Sequence, residues 1–112
     1  MELIFKLAGE FPPPAGKYEL SAGNGTLSVI AGGGKLLFNI RDAAAVAAGW
    51  ALPARSGGYV SLWLRLKDGS DKTLLLSEGY NAGLAAEYSA LGGKLAAALG
   101  IKFSEEPQVA DY

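Results

Sequence analysis

The chain contains no histidine and no cysteine. Without histidine it lacks the side chain that most often acts as a general acid, a general base or a metal ligand near neutral pH. Without cysteine it has no disulfides, no thiolate nucleophile and no thiolate ligand for zinc. These absences point away from catalysis, and we predict no catalytic, cofactor-binding or metal-binding residues.

Charge of either sign is also scarce. Ten Lys and Arg stand against eleven Asp and Glu, which gives a net charge of −1. Because a polyphosphate partner requires a concentrated basic surface, this balance argues against nucleic acid. The N-terminus lacks a basic segment followed by an apolar run, and no stretch reaches the ~20 apolar residues of a membrane span. Together with the absence of cysteine, these features predict a cytoplasmic protein.

Apolar residues are plentiful, at half of the 112 residues. That content is sufficient for one independent core in a chain of this length. We therefore expect a single folded domain over residues 1–103. Residues 104–112 are polar and show no periodicity, which predicts a flexible C-terminal tail.

Alternation of apolar and polar residues predicts about six short strands. We expect them at residues 2–8, 17–21, 26–31, 36–40, 59–67 and 72–77. Turn-forming sequences separate neighbouring segments at Asn24-Gly25, Gly32-Gly33-Gly34 and Asp68-Gly69. Such turns join antiparallel strands, so hairpins and a meander follow.

One long helix is predicted near the C-terminus, with Asn81 as its N-cap and Gly100 after its last residue. Its apolar stripe has helical spacing and consists of Leu84, Tyr88, Leu91, Leu95 and Leu99. A stripe of this kind covers the apolar face of a sheet. Asp42 predicts a second, short helix over residues 43–48, although this alanine-rich segment leaves helix or strand open. We expect residues 50–58 to form a loop.

These elements define an α+β fold. The about six antiparallel strands would form a curved sheet, or a small sandwich or barrel, closed by the C-terminal amphipathic helix.

The best candidate binding surface is the row of Tyr59, Trp63, Arg65 and Lys67, which share one face of a predicted strand. Trp50 and Arg55 belong to the neighbouring loop and extend the candidate surface. Aromatic residues and arginine are enriched where binding energy concentrates. The other interpretation is a sheet covered on both faces, in which Trp63 is a second core residue.

A second candidate surface is a stripe of small residues on the long helix, consisting of Ala86, Ala90, Gly93 and Ala97. Small side chains let two backbones approach closely, which suits a homodimer or another protein partner. The alternative is a solvent-facing side filled with alanine because alanine is a good helix former.

The paired strands ending at Asp68-Gly69, the final strand Thr73-Leu74-Leu75-Leu76 and one C-terminal helix resemble the pleckstrin-homology-like superfold, including its bacterial members. The resemblance spans Lys17 to Leu99 and is one of topology. Two features of the lipid-binding branch are missing: both tryptophans lie outside the helix, and the first hairpin has no basic cluster. The resemblance therefore implies a scaffolding role more than phosphoinositide binding.

Our leading hypothesis is a non-catalytic protein-binding or assembly domain, with self-association as one form of it. Two alternatives remain. One is a small-molecule enzyme using Asp, Glu, Lys and Tyr side chains, and the other is an adaptor at a membrane surface.

Overall fold

The computed structural model describes residues 3–12, 15–51 and 58–107. Eight strands, one short 3-10 helix and one α-helix lie in these ranges. The strands are β1 (Leu3–Glu10), β2 (Lys17–Gly23), β3 (Thr26–Ala31), β4 (Gly34–Asn39), β5 (Ala43–Ala51), β6 (Tyr59–Leu66), β7 (Asp71–Glu78) and β8 (Lys102–Glu105). The 3-10 helix is Ile40–Asp42 and the α-helix, α1, is Ala82–Leu99.

The first sheet is an antiparallel meander in the order β1-β2-β3-β4. The β2–β3 and β3–β4 hairpins have tight two-residue turns in which both central residues have positive φ. These angles are 53° at Asn24 and 75° at Gly25, then 58° at Gly32 and 80° at Gly33. Asparagine and glycine tolerate this left-handed region, and such turns match the twist of the strands they join. These are two of the three turns predicted from the sequence, and both are confirmed.

The second sheet has the order β7-β6-β5-β8. β5, β6 and β7 are antiparallel neighbours, whereas β8 runs parallel to β5. The parallel pairing is possible because α1 separates β7 from β8 and carries the chain back across the sheet. The described chain thus forms two sheets, not the small barrel that was one alternative.

Helix α1 packs on β5, β6 and β8. The side chain of Asn81 accepts a hydrogen bond from the Leu84 N–H, and Gly100 follows the last helical residue, as predicted. One core cluster joins both sheets to the helix. Its largest fully buried side chains are Leu20, Leu27, Val29, Val46, Val60, Leu62, Leu64, Leu75, Tyr88 and Leu95. Among the described residues, no helix is both long and apolar enough to cross a bilayer.

A glycine lets α1 approach the second sheet. A Cβ placed on Gly92 would lie 2.5 Å from the ring of Phe103 on β8 and 2.8 Å from Leu62 on β6. At the next position, Gly93, a Cβ would meet nothing within 4 Å. Only the first member of this glycine pair is therefore required for packing.

Two predictions about the fold are wrong: the number of strands and the start of a loop at residue 50. The sheets contain eight strands and not about six, because β5 and β8 were missed. Residues 43–48, for which the sequence left helix or strand open, are the first part of β5, a strand paired on both sides. Alanine has a higher helix propensity than strand propensity. Pairing with β6 and β8 overrides that local preference, and the small alanine side chains fit a strand that is largely buried.

The division between the domain and the C-terminal tail at residue 103 stays a prediction. Residues 104 and 105 belong to β8, the last strand of the described part. Residues 108–112 lie outside the described part, as do residues 52–57 of the predicted loop. Trp50, which was placed in that loop, is instead a half-buried residue of β5 that packs against the core.

Candidate functional site

The predicted aromatic and cationic row lies on β6. Tyr59, Trp63 and Arg65 alternate along the strand with core residues, of which Leu62 points toward α1. Because neighbouring strand residues point to opposite faces, the row lies on the face turned away from the helix. Lys67 follows the strand and is exposed, and its backbone N–H donates to the carbonyl of Asp42 at 2.8 Å.

Trp63 covers the middle of this face. It pairs across the strands with Ala47, which is fully buried. Beside it lies Gly49, where a Cβ would be 2.7 Å from the edge of the indole ring and 2.6 Å from the carbonyl oxygen of Glu106. A glycine is needed because no side chain fits beneath the ring and the backbone of residue 106. This close packing favours the interpretation of Trp63 as a second layer of core.

Arg65 is held between two carboxylates. Its guanidinium donates to both oxygens of Asp71, at 2.9 and 3.2 Å, and to both oxygens of Glu106, at 3.0 and 3.1 Å. The hydroxyl of Ser104 also donates to Glu106, at 2.7 Å. With both arms of its planar fork occupied, Arg65 ties the end of β8 to the β6–β7 hairpin.

The Arg65 contacts predict an acid-sensitive attachment of β8. Hydrogen bonds from Arg65 and then Ser104 lower the pKa of Glu106. A depressed carboxyl pKa stabilises the fold above the unfolded value of about 4.3, and that contribution is lost as the pH falls through the lower folded value. The protection factors of the β8 amides, which compare the observed exchange rate with that of an unprotected amide at the same pH, should therefore fall below about pH 4.

The variant Arg65→Ala should have low protection factors at the β8 amides already at neutral pH, with little further loss on acidification. Arg65→Lys is the matched control, because it keeps the positive charge but loses the planar fork. The protection of the β8 amides in Arg65→Lys should be intermediate between that in the parent protein and that in Arg65→Ala. Equal protection of β8 in all three proteins across this pH range would show that the ion pairs do not hold the strand.

Two further residues, Trp50 and Arg55, were assigned to the first candidate surface. Trp50 is half-buried in the core, and Arg55 lies outside the described residues. Near the end of the row, Asp68 accepts hydrogen bonds from the Ser70 N–H and hydroxyl, at 2.8 and 2.6 Å. Those bonds lower the pKa of Asp68 and fix the turn.

The small-residue stripe of α1 is on the surface. Ala86, Ala90 and Ala97 are exposed and Gly93 is half-buried. Within the described part of the chain the space around Gly93 is open. Both interpretations of this stripe therefore remain predictions.

A cavity of about 410 Å³ lies between β1 and α1. Its lining residues are Leu7, Ala8, Gly9, Glu10, Phe11, Tyr18, Glu87, Ala90, Leu91 and Lys94. The rings of Phe11 and Tyr18 stack with centroids 5.0 Å apart. Burial, and then the negative charge of Glu87, raise the pKa of Tyr18. The cavity is wide and mixed in character, and sequence analysis did not single it out.

The most exposed apolar surface of the described chain lies on β4 and its neighbour β3. Leu37 is 62% exposed, Leu36 44% and Ile30 40%. Within the described part, β4 pairs only with β3, so its other edge has no strand beside it. An edge that exposes both backbone groups and leucine side chains is a template for another strand.

The other edges of the two sheets carry features that discourage strand addition. β1 has an irregular register near Phe5, exposed charges, and Pro12 shortly after its end. β7 carries Asp71, Lys72 and Glu78, and its pairing shifts beside Trp63. β8 is only four residues long.

β4 has only one of these features, a single exposed charge. It is six residues long, pairs with β3 in unbroken register, lacks proline and carries one charge, at Lys35. Sequence analysis identified the strand but missed its exposed edge. The available signal was the run Leu36-Leu37-Phe38, because three successive large apolar side chains cannot all face one core.

The described residues contain no group of three or more acidic side chains arranged to hold a metal ion. Comparisons with protein-family models, with curated proteins and with solved structures find no match for the chain. The surfaces described above are therefore the basis for any inference about function.

Proposed function

We propose that the chain is a non-catalytic protein-binding domain that accepts an extended segment along the edge of β4. The observation that carries this proposal is the exposed apolar edge at Leu36 and Leu37. In strand addition, backbone hydrogen bonds provide affinity while alternate side chains provide specificity. The two sheets and α1 supply a rigid frame for that edge.

Several features support binding over catalysis. The chain has no histidine or cysteine. The cavity beside Tyr18 is the best place for an enzyme that uses Tyr, Glu and Lys chemistry, which remains the second candidate. However, the raised pKa of Tyr18 means that less of it is present as phenolate at neutral pH than for an ordinary tyrosine, which makes a role as general base less favourable.

The proposal also includes a fold family, a kind of partner and a cellular location. A scaffold of the pleckstrin-homology-like kind is supported by the order of antiparallel strands followed by α1. The net charge of −1 speaks for a protein partner over an anionic membrane surface. The lack of cysteine supports a cytoplasmic setting.

The binding edge can be tested with the variant Leu37→Lys and its matched control Leu76→Lys. Both leucines are exposed residues of edge strands, at 62% and 41%. A lysine on an edge discourages strand addition without disturbing the core. Peptides selected by display of random sequences against the purified domain should lose at least about tenfold in affinity with Leu37→Lys, or ~1.4 kcal/mol.

The same peptides should bind the Leu76→Lys protein as they bind the parent protein. Trp63→Ala and Ala90→Glu extend the comparison to the two surfaces proposed from the sequence. Peptides that are insensitive to Leu37→Lys but lost with Trp63→Ala or Ala90→Glu would move the binding surface to the β6 row or to α1. Selection that yields no binding peptide would count against strand addition to any partner other than the chain itself.

A further inference from the structure

We propose that the segment added to β4 is β4 of a second copy of this chain, antiparallel to the first about a twofold axis at Leu37. This inference rests on the proposed strand addition and names its partner. It follows from the direction of the backbone groups of β4 and from the order of its side chains.

The backbone groups at the outer edge of β4 belong to Lys35, Leu37 and Asn39. The N–H of Ile40 donates to the carbonyl of Gly25 on the β3 side, at 2.9 Å. Along an antiparallel strand the groups of alternate residues point to opposite sides. Those of the even-numbered residues therefore face β3, and the odd-numbered ones face the outer edge.

With the axis at Leu37, both faces of the strand pair are matched. Leu37 lies opposite Leu37 of the second copy on one face. On the other face, Leu36 lies opposite Phe38, and Phe38 opposite Leu36. Lys35 lies opposite the neutral Asn39. Every large apolar side chain therefore meets another, and the charged one meets an amide.

Neighbouring registers lose this match. The alternation of hydrogen-bonding groups allows the pairing to shift only by two residues at a time. A shift in one direction moves the axis to Leu36 and sets Lys35 opposite Leu37. A shift in the other direction moves it to Phe38 and brings Lys35 toward Arg41. A further shift of the first kind sets Lys35 opposite itself, and like charges in that position are destabilising.

Ile30 extends the contact on the outer face of the first sheet. It pairs with Lys35, so it shares a face with Leu37 and is its diagonal neighbour. Ile30 is 40% and Leu37 62% exposed. In the pair, the two isoleucines and the two leucines form one apolar strip across the axis. A foreign partner would have to supply an equivalent strip, whereas a second copy already carries it.

The symmetry also closes the assembly. In a contact between identical edges about a twofold axis, the β4 edge of each copy is paired with that of the other, so neither edge can add a third copy. Further growth would need β1, the opposite edge of the first sheet, which has an irregular register and exposed charges. One six-residue strand is a small contact compared with the roughly 1,200–2,000 Å² of stable complexes, so we expect a weak, concentration-dependent dimer.

Single cysteines test the register directly, because the parent chain has none. Opposite residues of a hydrogen-bonded pair have Cα atoms about 5.5 Å apart, within disulfide range. Under mild oxidation with diamide, Leu37→Cys should therefore form a disulfide-linked dimer. Lys35→Cys and Asn39→Cys should each remain largely monomeric alone, since identical residues would lie roughly 13 Å apart. A mixture of these two variants should cross-link.

Leu76→Cys is the matched control for random collision of exposed thiols, and about tenfold less dimer is expected from it than from Leu37→Cys. Cross-linking of Lys35→Cys alone, or of Leu76→Cys as readily as Leu37→Cys, would overturn the twofold axis at Leu37. If no variant cross-links while display peptides still bind at β4, the partner is another protein and the proposed function stands. If neither occurs, both proposals fall.

Discussion

The variant Gly49→Ala is expected to lose about 2 kcal/mol of folding free energy, the middle of the usual range of roughly 1–3 kcal/mol for overpacking. Its Cβ would lie 2.6 Å from the carbonyl oxygen of Glu106 and 2.7 Å from the indole ring of Trp63. The indole of Trp63 lies beside Ala47, its cross-strand neighbour on β5. The carbonyl of Glu106 belongs to the backbone that follows β8. The N–H of Glu106 donates to Ala48 at 2.8 Å, which ties that backbone to β5.

Relief of the clash therefore requires Trp63 to lift or the end of β8 to separate from β5. Urea denaturation measures the free energy, and tryptophan fluorescence should report a more exposed indole. Gly93→Ala is the matched control, because a Cβ there meets nothing within 4 Å. It should stabilise the protein by roughly 0.5–1 kcal/mol through helix propensity. If the Gly49 variant and the parent protein have equal free energies of unfolding, the end of β8 and Trp63 can move to accommodate the added methyl group without loss of stability.

The elements that could be predicted from sequence are those fixed by local chemistry. Asn24-Gly25 and Gly32-Gly33 specify tight turns because few residues accept positive φ. Asn81, the leucine spacing and Gly100 specify α1 because capping and helical periodicity are local properties. The hairpins and the helix can therefore be predicted from these local features alone, without knowledge of how distant parts of the chain pack.

β5 and β8 depend instead on contacts between distant parts of the chain. The alanines of β5 have no strand preference of their own, and they form a strand because β6 and β8 pair with them. β8 is recognised only through its contacts, since the ring of Phe103 lies over Gly92 and the carboxylate of Glu106 meets Arg65. Neither contact is encoded near residues 102–106 in the sequence.

The candidate site shows the same division. The period of two placed Tyr59, Trp63 and Arg65 on one face of β6, as the structure has them. Whether these side chains are free to bind a partner depends on contacts that the sequence did not reveal. Trp63 packs over Gly49, and two carboxylates surround Arg65. The edge position of β4 was likewise invisible, because strand order in a sheet is a property of the whole fold.

The hydroxyl of Tyr88 is expected to make the protein sensitive to alkaline pH. Tyr88 is fully buried in the core, with its ring against Phe11 at a centroid distance of 4.7 Å. Burial raises its pKa to about 12. In the unfolded chain the value is about 10, so the neutral phenol favours the folded state. That contribution is complete below pH 10 and is lost as the pH rises toward 12, a change of roughly 2–3 kcal/mol.

The variant Tyr88→Phe should remove this part of the alkaline destabilisation. At neutral pH it should be as stable as the parent or slightly more so, because the hydroxyl is buried without a hydrogen-bond partner among the described residues. Tyr80→Phe, at a half-buried position before α1, is the matched control. Urea denaturation of the three proteins at pH 7, 10 and 11.5 gives the comparison. A parent protein that weakens no more than Tyr88→Phe between pH 10 and 11.5 would show that the phenol ionises without opening the core.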